Sequence, residues 1–132
     1  MTPAAVFAQK KQFKQGLALE QQGDLQAAMS RFKAALYKNR YYNEATVALD
    51  RCAQQVASDW LGDYFQARVT GAWEEAASIA DKLTQLQEEL RYFSIELAIP
   101  AYQRQRLEAD AQEIPAQRLQ LLRQQYAEGQ LT

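Results

Sequence analysis

The side chains of this sequence that could do chemistry are mainly carboxylates. Asp59 and Asp63 lie four residues apart, so a helix would carry both on one face, as acid–base catalysis by a carboxylate pair requires. Adjacent pairs such as Glu74–Glu75 would lie on different sides of a helix and could not act together. No basic or histidine partner accompanies Asp59 and Asp63, so we interpret their face as solvated.

Other reactive groups are scarce. The sequence contains no His and one Cys, so the commonest general base and a disulfide within the chain are both excluded. Cys52 stands in a row of Ala, Leu and Val at helical spacing, which predicts a buried apolar role. The glycines form no phosphate loop, and no Ser has a nucleophile-elbow context. We therefore predict no enzymatic activity, no cofactor and no metal site.

The composition predicts an all-α chain. Of 132 residues 48% are hydrophobic and 23% charged, and only five Gly and three Pro interrupt them. These values suit one folded domain over residues 1–132. No run of alternating apolar and polar residues is long enough for a strand. No apolar run approaches the ~20 residues of a membrane span.

The first predicted helix begins at Thr2 or Ala8 and ends near Gln21. Residues 22–24 are a predicted turn and residues 25–38 a second helix, in which small residues at 16 and 28 let the two backbones approach closely. A third helix is predicted from 43 to about 68, a turn at 70–72, and a fourth helix from 73 to about 98, ended by Pro100.

The fourth helix carries a heptad row that predicts packing against the third helix, or alternatively pairing with a second copy: Ile79, Leu83, Leu86, Leu90, Phe93 and Leu97. Residues 101–113 are a predicted polar helix. A further helix over 116–128, restarted by Pro115, carries Leu119, Leu122 and Tyr126. Gly129-Gln130-Leu131 then repeats the earlier Gly-Asp-Leu pattern, so we expect a fragment of a longer repeat protein; a capping helix is the alternative.

One segment resembles a tetratricopeptide (TPR) repeat through Gly16, Leu19, Gly23-Asp24, Leu25, Ala28, Phe32 and Ala35-Leu36. A looser second repeat is centred on Gly71 with Trp60, Trp73 and Ala76, and a faint third covers 116–131. The resemblance implies a right-handed array of antiparallel helical hairpins. Residues 1–40 form the first repeat, 41–100 an elongated hairpin, and 101–132 C-terminal helices or the start of a further repeat.

The resemblance also implies a protein–protein interaction or scaffold module. Such repeats line a concave groove with the first helix of each pair, and the groove would take a partner peptide or helix. The corresponding positions here are apolar and flanked by bases: Lys10, Phe13, Lys14, Leu17, Leu61, Phe65 and Arg68. Alternatively, these apolar residues pack the hairpins together or lie under the C-terminal helix.

Charge is unevenly distributed. Residues 1–40 hold seven Lys and Arg against two acids, and residues 41–100 hold four against ten. The basic part suits an acidic protein partner, the acidic part of the same chain, or a second copy, so a self-association domain is the alternative function. We expect no nucleic-acid partner because no aromatic–basic platform accompanies the lysines.

The N-terminus supports two interpretations. Residues 2–5 suit a helix start, with Thr2 as the cap and Pro3 in the first turn, which slightly favours a cytoplasmic protein. Residues 1–8 also resemble the tail of a secretory signal, which would place the protein in the bacterial periplasm.

Overall fold

The described chain is helical. A computed structural model describes the backbone of residues 3–130 and the side chains of residues 3, 4, 6–111, 120 and 123–127. Within residues 3–130 there are five helices and no strand, so the all-α prediction is confirmed. The helices are α1 (Pro3–Gln21), α2 (Leu25–Lys38), α3 (Asn43–Val69), α4 (Trp73–Arg91) and α5 (Ala101–Gln130).

The chain divides into two compact units. Unit 1 comprises residues 1–59 and 89–97, and unit 2 comprises residues 60–88 and 98–132. Helices α3 and α4 each contribute residues to both units, whereas α1 and α2 belong to unit 1 and α5 to unit 2.

Unit 1 begins with a hairpin in which α1 packs against α2. Gly16 on α1 faces the ring of Phe32 on α2, and a Cβ atom built on Gly16 would lie 2.5 Å from the ring atom Cε1. Phe32 is fully buried and its ring centroid lies 5.8 Å from that of Phe13. Because only a glycine leaves this space, the ring can fill the crossing of the two helices.

The turns after α1 and α3 were predicted at Gly23 and Gly71, and both are confirmed. The two glycines have φ of +85° and +77°, in the left-handed region that side chains disfavour. Each lies in a Schellman motif, in which Gly23 N–H donates to the Glu20 carbonyl and Asp24 N–H to the Leu19 carbonyl, both at 3.0 Å. The Asp24 side chain then caps α2 by accepting a hydrogen bond from Ala27 N–H at 3.2 Å.

Helix α4 ends at Arg91, so the predicted helix to Ala98 is wrong. Ser94 adopts φ of +59°, and Ser94 N–H and Ile95 N–H donate to the carbonyls of Arg91 and Leu90 at 3.0 and 3.1 Å. This is the same Schellman motif, formed here without a glycine.

Residues 95–100, which follow this turn, belong to no helix, and burial alternates from residue 93 to residue 99. The buried side chains share a spacing of two: Phe93, Ile95, Leu97 and Ile99. This spacing matches the period of two of an extended chain and not the period of 3.6 of a helix. Two of the four are the β-branched Ile95 and Ile99, which also favour an extended backbone.

Helix α5 is continuous from Ala101 to Gln130, so the predicted break at Pro115 is wrong. A proline removes one backbone donor but leaves the other helical hydrogen bonds available, and the chain continues through it. Tyr126 is exposed. The side chains of Leu119 and Leu122, together with Thr2 and Leu131, lie outside the described residues.

Two glycine-to-alanine substitutions should change stability in opposite directions. Alanine at Gly16 would push its Cβ into the buried ring of Phe32, and we expect Gly16→Ala to lower the free energy of unfolding by about 1–3 kcal/mol. The matched control is Gly62 on α3, where an added Cβ meets no atom within 4 Å. Gly62→Ala should raise that free energy by about 0.5–1 kcal/mol. Urea unfolding gives the free energy of unfolding of both variants. Equal changes in the two variants would contradict the close approach of the helices at Gly16.

A third substitution tests the end of α4. Ser94 is exposed and holds the left-handed conformation that costs a non-glycine residue about 1 kcal/mol, so Ser94→Gly should raise the free energy of unfolding by up to that amount. Ser94→Ala, which keeps the strained backbone, is the control. Loss of stability in Ser94→Gly, measured by thermal unfolding, would contradict a helix end at this position.

Candidate functional site

Four of the residues predicted for the groove lie on α1 in unit 1: Lys10, Phe13, Lys14 and Leu17, which we call the α1 surface. Lys10 and Lys14 are exposed, and Phe13 and Leu17 are partly buried. Their spacing of three or four residues places them on one side of the helix. The α1 surface therefore presents two partly exposed apolar side chains beside two exposed lysines.

Phe13 is held in place by aromatic neighbours. Its ring lies 5.8 Å from Phe32 and 5.2 Å, edge to face, from Tyr42, measured between ring centroids. Such pairs stabilise beyond the area they bury, so the ring has little freedom to turn. Burial also raises the pKa of Tyr42. A ring fixed in this way offers a preorganised apolar contact on the α1 surface.

The one acid of α1 does not reduce the basic character of this surface. Glu20 accepts two hydrogen bonds of 2.6 Å from the Arg51 guanidinium. That pairing holds the pKa of the Glu20 carboxyl below its ordinary value, against the opposing effect of partial burial. Cys52 donates its thiol proton to the same carboxylate at 3.4 Å. Lys10, Lys11 and Lys14 thus share their helix with a neutralised carboxylate.

Cys52 is buried, as predicted. Burial and the hydrogen bond to Glu20 raise the pKa of the thiol to about 12. A thiol that remains protonated is neither a nucleophile nor a metal ligand at neutral pH. In the part of the chain that the structure describes, no three His, Cys, Asp or Glu side chains are grouped to hold a metal ion.

The other three predicted groove residues, Leu61, Phe65 and Arg68, lie on α3 in unit 2. All three are partly buried. Phe65 packs edge to face on Tyr64, with ring centroids 5.3 Å apart. Because the two sets of predicted residues belong to different units, a groove that joins them stays a prediction.

Arg68 belongs to a polar network between α3 and α5. Its Nη1 and the Tyr64 hydroxyl both donate hydrogen bonds to Oδ2 of Asp110, which is buried on α5. The guanidinium lies over the rings of Tyr64 and Trp73, at 5.9 and 5.4 Å from their centroids. Two donors and a cation compensate the buried carboxylate, and the bonds attach the first half of α5 to α3.

The network perturbs its own ionisable groups. Burial, followed by the hydrogen bond to Asp110, raises the pKa of Tyr64 to about 12. The hydrogen bond to Asp110 also raises the pKa of Arg68 above its usual value. Tyr64 and Arg68 therefore stay protonated at neutral pH, and their hydrogen bonds to Asp110 hold α5 against α3.

A cluster in unit 1 was missed by the sequence reasoning. It comprises three exposed residues, Tyr37, Arg40 and Tyr92, and the buried Phe93, and we call it the aromatic patch. Tyr37 lies in the last turn of α2, and Tyr92 and Phe93 follow α4, so Tyr37 is more than 50 positions from the other two rings. The periodicity of neighbouring residues cannot predict contacts between residues so far apart in the sequence. The available signal was the run Tyr37-Lys38-Asn39-Arg40-Tyr41-Tyr42, which is unusually rich in aromatic and basic residues.

Comparison with known proteins found no matching family model, no matching curated protein and no matching solved structure. The resemblance to TPR repeats therefore stays a prediction. Among the described residues, no helix is both long enough and apolar enough to cross a bilayer.

The buried network makes a prediction at alkaline pH. The folded-state pKa of Tyr64 lies near 12, above the value of ~10 for an exposed tyrosine, so its contribution to stability is complete below pH ~10 and is lost as pH rises towards the folded value. Phenolate absorbance and circular dichroism are recorded together during an alkaline titration. One component of the absorbance should appear at higher pH than that of exposed tyrosines, or together with unfolding.

That component should lose the absorbance of one tyrosine in Tyr64→Phe and stay unchanged in Tyr102→Phe, whose ring is exposed. The comparison of variants also separates Tyr64 from Tyr42, whose pKa is raised as well. An unchanged late component in Tyr64→Phe would contradict the assignment.

Proposed function

We propose that this chain is a TPR-like protein–protein interaction module, a right-handed array of helical hairpins that takes a partner helix or peptide along its concave face. The observation that carries the proposal is the α1 surface, where Phe13 and Leu17 are partly exposed beside Lys10 and Lys14. In a TPR-like array, α1 would be the groove-lining helix of the first repeat.

The spacing within the α1 surface suits a helical partner. Positions 10, 13, 14 and 17 follow the i, i+3, i+4, i+7 pattern by which one helix docks on another. The lysines add selectivity, because carboxylates beside an apolar stripe would meet them while basic helices would be repelled. The partner that fits is an acidic amphipathic helix.

Arg68 supports the same emphasis on α1. Its ion pair with Asp110 and its position over Trp73 satisfy the guanidinium within unit 2. A partner that used Arg68 would have to compete with a buried carboxylate, whereas Lys10 and Lys14 already face solvent. We therefore assign the main affinity to the α1 surface and a smaller contribution to Leu61 and Phe65.

Self-association is a second candidate, and the distribution of charge favours it. Unit 1 holds nine Lys and Arg against seven Asp and Glu, and unit 2 holds six against nine. Opposite net charges on two units of one chain would attract copies to one another at low salt. Such an assembly would weaken as salt screens the charges, whereas a partner-binding monomer would not change its mass.

The proposal predicts that charge reversal on α1 abolishes binding without unfolding the protein. The probe is a fluorescein-labelled acidic amphipathic helical peptide, with Leu at every third or fourth position and Glu between them. Lys10→Glu with Lys14→Glu should weaken its binding by about tenfold or more, because two attractive charge contacts become repulsive. Both lysines are exposed, so the melting temperature should change little.

The matched control is Arg106→Glu with Arg123→Glu, a double charge reversal at exposed positions of α5. If the control and test variants lose binding equally, the effect comes from net charge alone, and the α1 surface is not the specific binding site. Sedimentation equilibrium at low and high salt distinguishes the second candidate: a dimer that dissociates with salt supports self-association, and a monomer at both salts rejects it.

A further inference from the structure

The aromatic patch presents two tyrosine rings to solvent side by side. Tyr37 is 63% exposed and Tyr92 is 58% exposed. Their ring centroids lie 5.8 Å apart and the ring planes are inclined by 46° to one another, so the two rings contact each other in a tilted pair. Large apolar side chains that remain exposed while touching one another are a feature of binding surfaces.

Contacts beneath the rings hold this geometry. Phe93 is buried and lies 5.5 Å from Tyr37 and 5.0 Å from Tyr92, the second contact being edge to face. One turn earlier, Lys33 on α2 forms an ion pair with Glu89 on α4. Successive contacts therefore join the end of α2 to the end of α4, and the rings are fixed before any ligand arrives. Preorganised rings lose little entropy on binding.

The charge around the rings is positive. Arg40 places its guanidinium 5.7 Å from the centroid of the Tyr92 ring, and Lys38 is exposed beside Tyr37. Residues 37–42 contain no acid, and the one acid of residues 89–93 is Glu89, which is neutralised by Lys33. An occupant of the aromatic patch must therefore suit cations as well as aromatic faces.

We propose that the aromatic patch is a second binding surface, and that it takes a proline-rich segment of a partner protein that also carries acidic residues. Proline rings pack flat against aromatic faces, and a polyproline II chain is already extended, so docking costs it little conformational entropy. Its carbonyl groups make no internal hydrogen bonds and can accept from the hydroxyls of Tyr37 and Tyr92. Glutamate or aspartate beside the prolines pairs with Arg40 and Lys38.

This surface is separate from the α1 surface and shares no residue with it. The two surfaces also suit partners of different conformation: the α1 surface suits a helix, and the aromatic patch suits an extended chain. The proposal therefore stands or falls independently of the proposed function.

The experiment measures fluorescence anisotropy of a labelled peptide in which Glu-Pro-Pro units repeat, titrated with the full chain. Tyr37→Ala and Tyr92→Ala should each weaken binding by about tenfold, as expected for aromatic anchors at the centre of a small interface. Tyr102→Ala, which removes another exposed tyrosine ring from unit 2, is the matched control and should leave binding unchanged.

Charge is tested separately. Arg40→Gln should weaken binding and reduce its dependence on salt, whereas Arg106→Gln, at an exposed position of α5, should do neither. Because Arg40→Gln alters no ring packing against Phe93, it keeps the proposal falsifiable if a tyrosine variant fails to fold. Circular dichroism of each variant identifies such a failure.

Further probes separate the competing explanations. A Glu-Gly-Ser repeat should not bind, since it keeps the charge and lacks the proline rings. Lys10→Gln with Lys14→Gln should retain binding of the proline peptide, and loss of binding there would overturn the proposal in favour of the α1 surface. No binding to the proline peptide, or binding that does not respond to Tyr37→Ala, Tyr92→Ala and Arg40→Gln, would also overturn it. Preferential binding of labelled oligothymidylate that depends on Tyr92 would instead assign the patch to single-stranded nucleic acid.

Discussion

The close approach of α1 to α2 at Gly16 is the constraint on which unit 1 depends. The Phe32 ring occupies the space that any side chain at position 16 would need, and that ring is completely buried. Burying a phenylalanine contributes about 1.5–3 kcal/mol relative to exposing it, a large share of the stability of a small domain. The same ring supports Phe13, and Phe13 is the apolar centre of the α1 surface. The proposed partner site therefore rests directly on the helix crossing beneath it.

Three of the five helices described within residues 3–130 end in the same way, and this regularity defines where the chain turns. A left-handed residue follows the end of α1, α3 and α4, at positions 23, 71 and 94 respectively. Its own N–H and the N–H of the next residue donate hydrogen bonds to carbonyls of the last helical turn. Gly23 and Gly71 were visible in the sequence because glycine is the usual residue at such positions. The turn at Ser94 was not visible in the sequence. A serine in the left-handed conformation cannot be told from a helical serine by residue type, because that conformation is unfavourable for both.

The two candidate surfaces have different physical origins. The α1 surface is a property of one helix, since its residues are neighbours in the sequence and its basic character remains after Glu20 is neutralised by Arg51. The aromatic patch exists only because the end of α2 meets the residues that follow α4. In unit 2 the comparable meeting of α3 with α5 produces a buried network instead, in which Tyr64 and Arg68 satisfy Asp110. The network stabilises the attachment of α5, and its groups are directed inward.

The sequence alone determined the features that depend on neighbouring residues: the helical class, the turns at Gly23 and Gly71, the bounds of α2, the burial of Cys52 and the stripe of α1 residues. Each follows from local periodicity, capping or backbone freedom, which act within a few positions. Only the tertiary structure decided the rest. The segment after Arg91 leaves the helix at a left-handed turn and then buries every second side chain, although its heptad spacing also suits a helix. The aromatic patch and the Asp110 network likewise join residues more than 40 positions apart, and packing across such distances leaves no periodic trace in a single sequence.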